Sequence, residues 1–210
     1  MWKKLTAFGM AGAMIYVLHV IIGGMLWKGY NHLMQPISDL TAQGAPDRIL
    51  LGYFTWAYGV CSVIFAFSAF MYLRKLGSKL LKAGLIIFLC MHIVSMSYGL
   101  FPEDLLGSPM TFRGFMHYIV TGVIVPLTIL SPILIGVGLR KIESFKKFSL
   151  YSIVTGIIIF AAGGISVCLA VNKFGYFGLF ERINIGSLQI WMFILSLKLF
   201  TFDLPERLYQ

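Results

Sequence analysis

Charge is scarce in this chain. Aspartate and glutamate supply eight of its 210 residues and lysine and arginine seventeen, so 12% are charged against 59% hydrophobic. A soluble domain carries about 25% charged and about 45–50% apolar residues. A water-facing surface cannot be assembled from so little charge, and the mean hydropathy of +0.86 points to lipid as the solvent for much of the chain. Cysteine is nearly missing too. Cys61, Cys90 and Cys168 all lie in apolar runs, with no CxxC and no Cys/His spacing. That excludes a disulfide framework and a cysteine metal centre, and leaves three small buried hydrophobes. No low-complexity tract is present. The net charge of +9 does not indicate nucleic acid, because the basic residues cluster between apolar runs.

What is abundant is apolar sequence of spanning length. Such runs fall at residues 5–27, 51–73, 80–101, 115–139, 148–171 and 179–197, each near the roughly 20 residues that a helix needs to cross about 30 Å of hydrocarbon. They predict an all-α bundle of six transmembrane helices forming one unit over residues 1–210. The first run follows Trp2-Lys3-Lys4 and is too long for a signal-peptide core, so it reads as an uncleaved span.

Orientation follows from the basic residues. Lys3, Lys4, Arg74, Lys75, Lys79, Lys82, Arg140, Lys141, Lys146, Lys147, Lys198 and Arg207 fall on one side. Lys28, Arg48, Arg113, Lys173 and Arg182 fall on the other. Positively charged loops stay in the cytoplasm, which places both termini inside, in what reads as a multi-pass protein of the bacterial cytoplasmic membrane.

The two longer outer loops carry turn chemistry. Ser38 is expected to cap a short helix that Gly44 ends, with Pro46 in the first turn of the second span. Ser108-Pro109 is expected to start the fourth span. Loops capped in this way suggest a lid.

Polar residues gather toward the same side. His19, His32, His92 and His117 all map there, together with Asp39, Asp47, Glu103, Asp104 and Glu181. Arg113, His117 and Thr121 recur at a spacing of four and share one helix face. Ionisable groups at membrane depth turn inward and pair, so an outward-opening pocket is expected from Ser38, Asp39, His92, Asp104, Arg113, His117, Glu181 and Arg182, with His19 deeper. Asp39 or Asp104 is the expected carboxylate partner of His117.

Several chemistries suit such a pocket. Arg113 and Arg182 would grip an anionic lipid head group. Histidines among His19, His92 and His117 with a carboxylate would hold zinc for lipid hydrolysis, although HxxxH and HExxH are missing. Two facing histidines would ligate haem. Ser38, His117 and Asp104 offer a formal triad with no nucleophile elbow around Ser38. His19 and His92 serve equally well as interhelical hydrogen-bonders. A transporter and a structural or regulatory subunit complete the alternatives. Membrane lipids are the expected partners.

The stretch Gln35-Pro36-Ile37-Ser38-Asp39-Leu40-Thr41-Ala42-Gln43-Gly44-Ala45-Pro46 resembles the first-loop pattern of the bacterial membrane family called domain of unknown function 998. Phe101-Pro102-Glu103-Asp104 with His117 resembles its second-loop pattern, and Gly178-Leu179-Phe180-Glu181-Arg182-Ile183 its late segment. The resemblance spans nearly the whole chain and implies six spans, with no activity attached. The first loop is more faintly similar to that of the Frag/DRAM/Sfk membrane proteins, which implies lipid handling. Lipid amidases of the alkaline ceramidase type also use His, Ser and Asp across helices, but their paired-histidine spacing is not present here.

Overall fold

The computed structural model describes residues 1–76, 78–105, 107–172 and 174–203. Lys173 and Arg207, counted in the charge asymmetry above, lie outside them.

Among the described residues seven α-helices follow in chain order: α1 (Trp2–Leu5), α2 (Phe8–Leu26), α3 (Arg48–Leu73), α4 (Lys79–Ser95), α5 (Phe112–Leu139), α6 (Lys146–Val171) and α7 (Phe177–Thr201). Short 3-10 turns extend several of them, and one stands alone in the first long loop at Ser38–Thr41. Six of these units are long and apolar enough to cross a membrane, α1 and α2 together making the first. No strand forms among the described residues, only an isolated bridge between Gln43 and Asp104. The chain satisfies its backbone inside helices because hydrocarbon offers no other hydrogen-bonding partner. For the same reason α5 runs unbroken through Pro126 and Pro132.

The spanning helices form a closed ring in chain order, each packed on the next and α2 packed back on α7. Small residues allow the closest approaches. A methyl group at Gly84 of α4 would sit 2.8 Å from the Ile135 backbone nitrogen of α5, and one at Gly136 of α5 would sit 2.8 Å from the Ser149 carbonyl of α6. Inside the ring, Phe65, Phe88 and Trp191 are fully buried and meet edge to face, with centroids 5.8 and 5.3 Å apart. Outside it, Ile119, Val123, Ile157, Phe160, Val167 and Ile190 are exposed, as lipid-facing side chains must be. Cys90 and Cys168 join them on this outer surface rather than the core, since lipid accepts a small apolar side chain as readily as protein does.

Contacts at the end that holds Met1 and Asp203 tie the first span and α3 to the end of α7. Lys3 pairs with Asp203 at 2.5 Å, Ser196 donates to the Thr6 carbonyl at 2.6 Å, and Tyr72 donates to the Phe202 carbonyl at 2.6 Å. The opposite end, here the distal end, carries the long loops.

Helix starts at the distal end differ from the sequence expectations. Ile37, not Ser38, precedes the short 3-10 turn, and Ser38 makes no capping bond. The Ile37 N–H is taken instead by the Glu181 carboxylate of α7, so a tertiary contact does the work of the cap. That turn ends at Thr41. Gly44 follows with φ +91°, a left-handed conformation that glycine adopts without strain, and reverses the chain toward α3. Pro46 lies outside α3, before its N-cap residue Asp47. Thr111, not Ser108, caps α5 by accepting from the Gly114 N–H at 3.1 Å, while the Ser108 hydroxyl turns back to the Leu105 carbonyl.

Candidate functional site

Loop 27–47 is a strap across the distal end, held on two sides. On the α7 side, the Ile37 N–H donates to Glu181 Oε2 at 2.5 Å and the Leu179 N–H donates to the Leu33 carbonyl at 3.0 Å. Arg182 donates to the carbonyls of Gln35 and Gly178, each at 2.9 Å, and to the Tyr30 hydroxyl at 2.7 Å. Tyr30 in turn donates to the Pro36 carbonyl at 2.6 Å. On the other side, the Gln43 side chain donates to Asp104 Oδ1 at 2.6 Å, and its backbone N–H to the Glu103 carbonyl at 2.7 Å. Asp104 also receives the Thr111 N–H at 2.7 Å and the Thr111 hydroxyl at 2.9 Å. Between these anchors the 3-10 turn dips into the ring. Leu40 is fully buried, against Leu51 and against Gly23 of α2.

The strap brings acids together. Asp39 is buried on the turn, Glu103 lies on the second loop and Glu181 on the second turn of α7, all within mutual electrostatic range. Burial pushes Asp39 up to about 6, and nearby Glu103 adds to the rise, while a long 3.4 Å hydrogen bond from Gln35 opposes it. Burial also pushes the Glu103 carboxyl up, with the Ser38 hydroxyl opposing and Asp104 adding. Tyr30 is pushed up to about 12 by burial, against the pull of Arg182.

His117 faces this group from α5. Its Nδ1 lies 3.0 Å from the Phe101 carbonyl. A carbonyl only accepts, so Nδ1 carries a proton and Nε2 is the atom turned toward Glu103, at 4.0 Å from Oε2. That Glu103 oxygen is buried and has no hydrogen-bond partner among the described residues. A neutral His117 would present a lone pair to a carboxylate oxygen, so the pair favours holding a proton, or a donor from a ligand, between them. Thr121 donates to the His117 carbonyl and sits 3.0 Å from the Tyr98 hydroxyl, which extends the polar face inward.

Of the residues singled out in the sequence, Ser38, Asp39, Asp104, His117, Glu181 and Arg182 meet at or beside this cluster. Arg113 does not; its side chain is exposed at the first turn of α5, away from its i+4 neighbour His117. The carboxylate facing His117 is Glu103 rather than Asp39 or Asp104, because Asp104 is engaged by Thr111 and Gln43. For the same reason no Ser38–His117–Asp104 triad assembles. His32 is exposed beside Tyr30, with ring centroids 5.1 Å apart. His19 and His92 lie deeper in the ring against aromatic rings, Tyr16 at 5.9 Å and Phe88 at 4.6 Å. Among the described residues, no three His, Cys, Asp or Glu side chains come close enough to hold a metal ion. Gln35, Gln43 and Tyr30 hold the strap, yet glutamine and tyrosine in a polar loop carry no sequence signal that separates them from solvated residues.

No curated protein and no solved structure matches the chain. Residues 10–198 match the family described as "Protein of unknown function (DUF998)". The match covers the ring from the first turn of α2 to the last turns of α7. The chain is a multi-pass integral membrane protein and belongs to the DUF998 family.

Proposed function

We propose that this protein binds a membrane lipid by its head group, at the distal end and under the strap, and that the head group carries a cationic amine. One observation carries the reading. Among the described residues the cation beside Asp39, Glu103 and Glu181 is Arg182, which acts on Glu181 alone of the three and whose terminal nitrogens are already engaged by Gln35, Gly178 and Tyr30. A site with surplus carboxylate and a spent guanidinium favours an ammonium over a phosphate, the reverse of the anionic grip suggested by Arg113 and Arg182 in the sequence. The proton or donor wanted between His117 and Glu103 is one that an ammonium supplies.

The distal end faces the cell exterior in this reading, since the basic loops lie at the end that holds the termini, and the membrane is the bacterial cytoplasmic membrane. A transporter is disfavoured because Phe65, Phe88 and Trp191 fill the ring below the polar residues.

Native mass spectrometry of protein released from nanodiscs tests the reading. Dioleoylphosphatidylethanolamine should be retained over its N-acetylated analogue and over dioleoylphosphatidylglycerol. Glu103→Gln should reduce that preference about tenfold, the scale of one ion-paired hydrogen bond. Equal retention of the three lipids overturns the proposal.

A further inference from the structure

Below the strap lies a second polar group that the acid cluster does not use. His19 of α2, Ser62 of α3, His92 of α4 and Gln189 of α7 are 2%, 0%, 1% and 3% exposed. Both ring nitrogens of each histidine and Gln189 Oε1 are buried with no hydrogen-bond partner among the described residues, and the buried Ser62 hydroxyl lies against that of Tyr58. Five such atoms gathered on three helices call for a partner, since most buried polar atoms of a folded protein are paired. Each is costly if it stays unpaired, because its bonds to water are lost and not replaced.

They surround one pair of rings. Tyr16 and Tyr58 stand with centroids 4.9 Å apart. Tyr16 touches His19 at 5.9 Å and Tyr58 touches His92 at 6.2 Å. Gln189 donates its amide to the Tyr58 hydroxyl at 2.8 Å, which turns Oε1 free. Ser62 is one helical turn from Tyr58 on the same face of α3. Phe65, Phe88 and Trp191 close the floor, and the Trp191 N–H is satisfied by Ser152 at 2.8 Å. Gly23, one turn above His19, meets Leu40 of the strap, which makes the roof.

We infer that this is a binding site for an uncharged hydroxyl group at mid-membrane depth. The chemistry of the donor set selects that class. Two neutral imidazoles and a serine each both donate and accept, whereas Gln189 Oε1 only accepts. A carbonyl ligand cannot satisfy Gln189 and an ammonium has no carboxylate to meet. A hydroxyl donates and accepts at once, and two sources supply it: water, or the alcohol of a lipid lying with its chain along the aromatic walls. The site stands independently of the head-group reading, since it shares none of the acidic residues.

The test uses the whole protein in nanodiscs with isotope-labelled histidine and NMR of the imidazole nitrogens. Dodecanol is the lipid-alcohol probe and dodecyl methyl ether the control that cannot donate. The site is supported if dodecanol shifts the His19 and His92 resonances saturably while the ether does not, and if Gln189→Leu weakens the dodecanol response about tenfold. It is also supported, with water as the occupant, if these nitrogens show cross-peaks to water protons that dodecanol leaves in place. Unchanged resonances with no water cross-peak overturn it, as does an equal response to alcohol and ether. Ser62→Ala serves as a second, milder variant, because it removes one partner without adding volume.

Discussion

Glu181 accepts the Ile37 N–H at 2.5 Å, across 144 residues of sequence, and so joins the second turn of α7 to the strap that covers the distal end. The bond takes the place of a local helix cap and holds the 3-10 turn where Asp39 and Leu40 are buried. The distal end therefore depends on a few long-range contacts rather than on loop chemistry.

Breaking that bond should loosen the strap before it unfolds the ring. Glu181→Ala should cost about 2 kcal/mol, typical of a buried hydrogen bond to a charged group. Amide exchange of residues 35–42 should rise while the core of α4 stays protected. Exchange that is unchanged at Ile37 would contradict the assigned anchor.

On the other side, Gly114 leaves room for Asp104. A methyl group there would overlap the Asp104 carboxylate and displace it from Thr111 and Gln43. Gly114→Ala should lower the melting temperature, by about 1–3 kcal/mol of stability. Gly122→Ala, on the same helix with nothing within 4 Å, is the control and should be neutral.

The pH dependence has a definite sign. Asp39 is raised to about 6 and Glu103 is raised as well, both by burial. Between about pH 4 and pH 6 the folded protein therefore holds more protons than the unfolded chain. Stability should fall as pH rises through that window, and the full cost of burying the charged carboxylates is present above it. Asp39→Asn should flatten the profile measured by thermal melting from pH 4 to pH 8. Identical slopes for the two proteins would remove Asp39 from the buried set.

Topology is checked by an alkaline phosphatase reporter, active only outside the cytoplasm. Fused after Gln210 it should be silent, and inserted in the strap near Lys28 it should be active. The opposite pattern would turn the acid cluster toward the cytoplasm.

The six spans were legible because run length against membrane thickness is a nearly one-parameter problem. All six apolar runs lie within the observed helices to within one or two turns. Caps were less legible. Ser108 and Thr111 both suit a helix start, and only tertiary placement of Asp104 decides for Thr111. Arg113 shares a helix face with His117 by spacing, but at the first turn of α5 its long side chain reaches solvent, so periodicity alone misplaced it. Glu103 was in view within Phe101-Pro102-Glu103-Asp104, yet which of two adjacent acids turns inward is set by Gln43 and Thr111. Tyr58 escaped notice because one tyrosine inside an apolar run has no distinguishing pattern.

Solid-state NMR distances from a nitrogen-labelled phosphatidylethanolamine head group to labelled aspartate and glutamate carboxyl carbons test the central claim most directly. The account predicts contacts from the ammonium to the Glu103 and Asp39 carboxyls, within about 4–6 Å, that vanish when Glu103 is replaced by glutamine and N-acetylated lipid gives none. Ammonium contacts confined to Asp47, or no contact with any carboxyl at the distal end, would contradict it.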